Sequence, residues 1–318
     1  MQTLYIFGNG FDIAHGIRTP YAAFREFLKE NHESFLTTFE SMYNIRPLDD
    51  TEPWYTKEAQ ERWDKSVIND LWWSFEEKIG HPDVEGMYDS AYSMVDTMPV
   101  DGIIDTMNVY WREQYGFVDK LQKYVLEWLQ TIDTSQAMCK KDSLINNRND
   151  LFMSFNYTDT LEKVYGIKDV LHLHGGIPSC CEIAPIMGHG NKYIIDSYRR
   201  KAKEAQEEYV EWYESICTAI ADFCESLYKD TDAIINENDD FFSALWDVNQ
   251  VVCLGLSFGD VDVPYLDRIE YEVRPETKWL VYYHSDEDLK RLKSVFGITG
   301  ISRKFEVYFR KSDNFWDR

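Results

Sequence analysis

The sequence is poor in basic residues and lacks long apolar runs, and both shortages exclude classes of protein. Among its 318 residues, 33 are lysine or arginine and 56 are aspartate or glutamate, which gives a net charge of −23. This charge repels nucleic-acid phosphates and argues against non-specific nucleic-acid binding. No apolar run approaches the ~18 residues of a membrane span, and no charged region precedes an apolar stretch at the N-terminus. We therefore expect a cytoplasmic protein without a signal peptide or a membrane partner.

Cysteines are few and are not arranged as metal-binding pairs. None of the six forms a C-x-x-C pair, and Cys180 and Cys181 are adjacent, so the patterns of zinc ribbons and disulfide frameworks are missing. Cys217, Cys224 and Cys253 lie in apolar surroundings, which predicts that they are core residues. We expect a reducing compartment and no metal cofactor.

The rest of the chain alternates short apolar runs with helical periodicity. An apolar content of 44% and an aromatic content of 15% are ample for a core. The short runs predict strands at 4–7, 151–155, 169–174, 251–254, 279–283 and 305–309. This alternation predicts an α/β fold: a doubly wound, mainly parallel sheet of the Rossmann-like type. We expect a single domain, 1–318, interrupted by large helical insertions at about 31–140 and 190–245.

A glycine-rich turn follows the first predicted strand. Gly8 and Gly10 are separated by one residue, and Gly16 comes six positions later. Because these glycines lack a Cβ, the backbone can turn tightly and a ligand phosphate can approach it. The spacing differs from the dehydrogenase fingerprint G-x-G-x-x-G, and an ordinary strand-to-helix turn explains it equally well. The turn alone is therefore a weak signal of nucleotide binding.

Small or polar residues follow four of the predicted strands, at 8–12, 154–159, 172–176 and 255–260. Ligands of open parallel sheets bind at the carboxyl ends of the strands, so these segments form the candidate site. His174, followed by two glycines, suits a general base that a substrate can approach. Asn156 could orient a hydroxyl or a water, although asparagine is also common in turns and helix caps. His172 and His174 share one strand face, and a metal site with His189 is a minor alternative.

Four motifs together resemble the bacteriophage abortive infection AbiH family, and they span nearly the whole chain. They are Gly8–Asp12 with His15-Gly16, Phe155–Glu162, Leu171–Gly175 and Leu254–Gly259. The resemblance implies a cytoplasmic phage-defence protein. It leaves open a phage-derived trigger and a homo-oligomer as further partners.

The same segments are more distantly similar to sirtuins and sirtuin-like NAD-consuming defence domains. The sirtuin turn G-A-G-I-S-x-x-S-G-I-P aligns without gaps with residues 8–18. The sirtuin stretches Q-N-I-D, H-G and G-T-S-L are similar to Phe155–Tyr157, His174-Gly175 and Gly255–Phe258, in the same order. This similarity implies a sirtuin-like core that binds NAD, as substrate or ligand.

The sirtuin resemblance also implies a role for each matched residue. Gly8 and Gly10 would face the pyrophosphate, with Asn9, Arg18 and Gly255 in the same nucleotide-binding set, and Ser257 would lie near the adenine-side ribose or phosphate. Asn156 would hold the nicotinamide ribose or a water, and His174 would be the base at a ribose hydroxyl. Asp12 would stabilise a developing oxocarbenium ion. The implied activity is a NAD⁺ glycohydrolase.

Three departures from the sirtuin pattern limit this interpretation. Asp12 replaces a serine, Arg18 replaces a proline, and the four-cysteine zinc module is missing. Deacylation is therefore not implied, because the peptide-binding half of a sirtuin is not visible in this sequence. Cleavage of the nicotinamide–ribose bond does not need that half and stays implied. Two alternatives remain: a non-catalytic nucleotide sensor, and a nuclease acting on a specific RNA or DNA, against which the acidic charge counts.

Overall fold

The computed structural model describes residues 2–95, 103–140 and 149–316. The sequence also predicts a loop at 97–103, of which only Ile103 is described, and a polar connection at 139–150, most of which lies outside the described residues. The strands are β1 (Thr3–Phe7), β2 (Leu151–Ser154), β3 (Val170–His172), β4 (Gln250–Leu254), β5 (Lys278–Tyr283) and β6 (Glu306–Lys311).

The α-helices are numbered in chain order. They are α1 (Asn9–Ala14), α2 (Tyr21–Asn31), α3 (Glu33–Ser41), α4 (Lys57–Val67), α5 (Phe75–Lys78), α6 (Val84–Val95), α7 (Ile103–Tyr115), α8 (Leu121–Gln130), α9 (Thr160–Tyr165), α10 (Lys192–Glu207), α11 (Glu211–Ser226), α12 (Thr231–Glu237), α13 (Asp239–Ser243), α14 (Val263–Glu272), α15 (Asp286–Ile298), α16 (Ile301–Lys304) and α17 (Asp313–Trp316). None of the helices in the described part of the chain has the length and apolar character needed to cross a membrane.

The strands form one parallel sheet in the order β3-β2-β1-β4-β5-β6. This order is that of the doubly wound dinucleotide-binding fold, in which the chain reverses direction across the sheet between β1 and β4. The predicted α/β fold with a doubly wound parallel sheet is therefore confirmed. The strand predicted at 169–174 is shorter, because His174 already lies in the turn after β3.

Both faces of the sheet are buried, as parallel sheets require. On β1, Leu4 and Ile6 belong to a core cluster with residues of α14 and α15. Phe7 points to the other face, where it packs with Leu161 and Tyr165 of α9. This alternation along β1 anchors the strand from both sides and fixes the position of the turn that follows it.

The chain divides into two compact units. The unit that contains the sheet comprises Met1–Pro20, Val125–Ile186 and Asp230–Arg318, and the helical unit comprises Tyr21–Tyr124 and Met187–Lys229. The insertions expected at about 31–140 and 190–245 thus correspond to 21–124 and 187–229, and α12 and α13 belong with the sheet.

The helical unit has an aromatic core that surrounds a buried ion pair. The rings of Trp72 and Phe75 stack with centroids 4.5 Å apart, and Phe39 contacts both. The buried Arg25 guanidinium donates through Nε to Glu40 Oε1 at 2.7 Å. A buried pair of this kind is tolerated because each charge finds its partner inside the unit.

Candidate functional site at the carboxyl ends of β1 to β4

The turn after β1 packs directly against the turn after β4. Gly8 N donates to Leu254 O at 3.0 Å, and Gly10 N donates to Gly255 O at 2.9 Å. A Cβ on Gly10 would lie 2.7 Å from Gly255 Cα, and one on Gly255, whose φ is +72°, would lie 2.4 Å from Phe11 N. Glycine is therefore required here so that the two backbones can meet. A phosphate contact at these glycines remains a prediction.

The loop after α1 returns to the turn and fastens it. Asn9 Nδ2 donates to Thr19 O at 3.1 Å, and the Thr19 hydroxyl donates to Asn9 Oδ1. The side chain of Asn9 is thus engaged within the protein, whereas Arg18 in the same loop is exposed to solvent. The nucleotide contacts predicted for these two residues stay predictions.

Asn156 joins the end of β2 to the turn after β1. Its side-chain Nδ2 donates to Gly8 O at 3.1 Å, and its backbone N–H donates to Ser154 Oγ at 3.1 Å. The residue is 7% exposed. The predicted proximity of Asn156 to Gly8 is therefore seen as a direct hydrogen bond.

His172, at the end of β3, holds the backbone of Asn156. Its Nδ1 lies 3.1 Å from Asn156 O, and its Nε2 lies 2.8 Å from Glu162 Oε1. A carbonyl oxygen only accepts hydrogen bonds, so Nδ1 is the donor. Sequence reasoning did not find the role of Glu162, since nothing in the spacing shows that α9 turns this side chain towards β3.

His174 is buried among aromatic rings beyond the end of β3. It is 3% exposed, and its ring lies 5.2 Å from that of Phe155 and 5.5 Å from that of Tyr265. Its carbonyl accepts a hydrogen bond from Ile186 N at 2.8 Å, so the loop that follows folds back over the strand end. The structure therefore brings His174 to the same edge of the sheet as Asn156, in an apolar setting.

Asp12, on α1, is fully buried and is held by two threonines, one in the β2–α9 connection and one at the start of α9. Thr158 Oγ1 donates to Oδ2 at 2.6 Å, and Thr160 Oγ1 donates to Oδ1 at 2.7 Å. Burial raises the pKa of Asp12 to about 6, although the two hydroxyls oppose this shift. Asp12 is therefore a carboxyl group that titrates close to neutral pH. The Thr-x-Thr that follows β2 is the sequence signal for these two partners.

A second buried carboxylate, Asp159, behaves in the opposite way. It accepts hydrogen bonds from the hydroxyls of Thr134 and Ser179, and Lys163 Nζ lies 2.8 Å from its Oδ2. Burial raises the pKa of Asp159, but these donors outweigh it, so that the net shift is downwards. The pKa values of these two aspartates thus shift in opposite directions, because burial dominates at Asp12 and the donors, with Lys163 among them, dominate at Asp159.

The loop after β4 presents Ser257 to solvent and buries its neighbour. Phe258 is 1% exposed and has a φ of 47°, a left-handed conformation that is unusual for a bulky residue. Its ring contacts that of Phe155, which in turn contacts His174. The buried ring of Phe258 therefore fixes the position of the exposed Ser257, and it is connected to His174 through Phe155.

The alternative metal site finds no support in the hydrogen bonding of its histidines. His189 lies in the helical unit, where Nε2 donates to Cys224 O at 2.9 Å and Nδ1 accepts from Asn191 N at 3.0 Å. His172 likewise uses both ring nitrogens. Within residues 2–95, 103–140 and 149–316, no group of three or more His, Cys, Asp or Glu side chains is arranged to hold a metal ion.

Comparison with known proteins identifies one family. The family model described as bacteriophage abortive infection AbiH matches residues 4–283. This range contains five strands of the sheet, all four strand-end segments and the helical unit. No curated protein and no solved structure matches the chain.

Proposed function

The chain belongs to the bacteriophage abortive infection AbiH family, and we propose that it serves this defence by binding NAD⁺ and hydrolysing its nicotinamide–ribose bond. The proposal rests on the crevice at the carboxyl ends of β1 and β4. There the strand order reverses, the two glycine turns meet, and Asn156 bonds to Gly8. Dinucleotides bind at this position in doubly wound sheets.

The proposed reaction consumes one water. The bond between the ribose C1′ and the nicotinamide nitrogen breaks, nicotinamide leaves with the electron pair, and water adds to the oxocarbenium-like carbon. The products are nicotinamide, ADP-ribose and a proton. His174 accepts a proton from a ribose hydroxyl, and Asn156 orients that ribose or the water. Gly8, Gly10 and the loop after β4 hold the phosphate and adenine side.

Asp12 fits the electrostatic part of this mechanism without touching the substrate. Its carboxylate is wholly buried, and a charge in the protein interior acts through a lower dielectric than a charge in water. With a pKa of about 6, the group is ionised at neutral pH. Its negative charge would then stabilise positive charge that develops on the ribose.

The burial of the same groups favours a second candidate, a nucleotide sensor that does no chemistry. Asp12 and His174 are 0% and 3% exposed. A sensor needs only the exposed parts of the site, Arg18 and Ser257, and would signal through a conformational change. Turnover distinguishes the two candidates, since a sensor binds the nucleotide without releasing nicotinamide.

The test is incubation of the purified protein with NAD⁺, with and without phage lysate, and detection of nicotinamide and ADP-ribose by mass spectrometry. We expect His174→Gln to lower the turnover rate by about 10²–10⁴-fold while the nucleotide affinity changes little. The matched control is Phe155→Leu, which disturbs the same aromatic surroundings without removing a base. Binding without product in the wild type would favour the sensor, and neither binding nor product would reject both.

A further inference from the structure

A continuous series of hydrogen bonds crosses the carboxyl ends of four adjacent strands. It runs from Glu162 to His172, then to the backbone of Asn156, whose side chain donates to Gly8. Backbone hydrogen bonds then connect the Gly8 turn to the turn after β4. Asn156 is therefore held at its backbone carbonyl by His172 and at its side chain by Gly8.

The carboxyl group of Glu162 interacts mainly with His172. Its Oε1 lies 2.8 Å from His172 Nε2, whereas its Oε2 is buried and has no hydrogen-bond partner among the described residues. Leaving a buried carboxylate oxygen without a partner costs free energy. The contact of Oε1 with His172 is the interaction that accounts for this placement.

The geometry of His172 directs its second ring nitrogen at Asn156. Since Glu162 occupies Nε2, the ring is fixed in the orientation that directs the Nδ1 proton at Asn156 O, 3.1 Å away. The side chain of His172 is 1% exposed, so no water competes for either nitrogen. The ring therefore acts on Asn156 rather than on a ligand.

From this arrangement we propose that His172 and Glu162 are positioning residues, which hold Asn156 in the orientation that the substrate ribose or water requires. The proposal rests on the assignment of Asn156 under the proposed function. It assigns no contact with the substrate to either residue. It implies that changes at His172 affect turnover more than substrate affinity, because a misplaced group of about 1 Å costs about 10²-fold in rate.

The first experiment compares steady-state NAD⁺ cleavage by four variants. His172→Leu removes both hydrogen bonds and is expected to lower kcat by about 10²-fold with KM within about threefold. His172→Asn keeps an amide donor near the position of Nδ1, and Glu162→Gln keeps a hydrogen-bonding partner for Nε2, so both should recover most of kcat. Leu173→Ala is the control, since Leu173 is equally buried next to His172 and lies outside the hydrogen-bond series. Equal kcat losses in His172→Leu and Leu173→Ala would overturn the proposal.

The second experiment does not depend on activity. In protein labelled with ¹⁵N-asparagine, the Asn156 side-chain amide is identified by its disappearance in Asn156→Ala, and its proton exchange is measured. We expect slow exchange in the wild type and in Leu173→Ala, and fast exchange in His172→Leu. If the wild type cleaves no NAD⁺ but this pattern holds, the proposed function fails and the positioning of Asn156 by His172 stands. Unchanged exchange in His172→Leu would overturn the positioning role whatever the activity.

Discussion

At the scale of single residues, the candidate site is governed by how each buried polar group is satisfied. Asp12 and Asp159 both lie in the interior and both accept hydroxyl donors, yet their pKa values move in opposite directions. Burial outweighs the hydroxyl donors at Asp12, whereas at Asp159 the ion pair with Lys163 and the hydroxyl donors together outweigh burial. A carboxyl group left at the edge of ionisation in this way is a feature of functional sites more often than of structural ones.

The raised pKa of Asp12 predicts a specific dependence of stability on pH. Its pKa is about 6 in the folded protein against 3.8 for an unperturbed aspartate, so between these values the folded state holds a proton that the unfolded state has lost. Stability therefore falls as pH rises from about 4 to about 6, by about 3 kcal/mol in all, and this contribution is constant above that range.

The measurement is urea unfolding of the wild type and of Asp12→Asn at several pH values. Asparagine still accepts a hydrogen bond from one threonine, and its NH₂ can donate to the oxygen of the other. The difference in unfolding free energy between the two proteins should shift in favour of the variant as pH rises from about 4 to about 6. A difference independent of pH would show that Asp12 has an ordinary pKa in the folded protein.

At the scale of secondary-structure elements, the turns after β1 and β4 act as one unit. A side chain at Gly255 would cost free energy in two ways, through backbone strain at its positive φ and through overlap with neighbouring atoms. A glycine that has only the first of these properties separates the two costs. Gly300 has a φ of +81° and nothing within 4 Å of an added Cβ. We expect Gly300→Ala to cost about 1–2 kcal/mol from backbone strain alone.

Gly255→Ala should cost about 1–3 kcal/mol more than Gly300→Ala, because its Cβ would overlap the backbone of Phe11 and Gly10. Thermal or chemical unfolding of the two variants measures both values. Equal losses would mean that the two turns separate without cost, and the crevice between β1 and β4 would then be soft enough to admit a ligand between the glycines.

Local signals predicted elements well wherever one residue decided a boundary. Ser285 followed three residues later by Asp288 predicts a capping box, which is found at the start of α15, and Pro264, which predicts a helix start, lies in the first turn of α14. Within the second helical insertion the sequence predicts one amphipathic helix over about 194–229, and the structure has two helices there, α10 and α11. The break falls at Tyr209, whose φ is 58°, and no glycine or proline marks it.

The succession of strands along the sequence was enough to predict which residues share one edge of the sheet. It was not enough to predict the hydrogen bonds between those residues. Knowing that His172 and Asn156 both end core strands suffices to place them at one edge of the sheet. That β2 and β3 are neighbours, so that His172 reaches Asn156 O, is a property of tertiary pairing. The same holds for Thr158 and Thr160 with Asp12, which are far apart in sequence.

At the scale of the whole molecule, the dominant electrostatic feature is the excess of acidic residues, 56 against 33 basic ones. Exposed ion pairs such as Arg199 with Asp222 oppose this repulsion, but pairs at the surface contribute little. A net charge of −23 therefore destabilises the folded state by self-repulsion at neutral pH. The same charge opposes the approach of any anionic ligand.

Salt should consequently stabilise this protein at neutral pH. Raising the ionic strength from about 0.01 M to about 0.1 M shortens the Debye length from about 30 Å to about 10 Å and screens repulsion between distant carboxylates. If about 1 kcal/mol is recovered, the Tm rises by about 2–4 °C. Calorimetry in NaCl measures it, and the control is the same titration near pH 4.6, the isoelectric point of the sequence, where the net charge vanishes. A Tm that falls with salt at neutral pH would mean that attractive ion pairs outweigh the net repulsion.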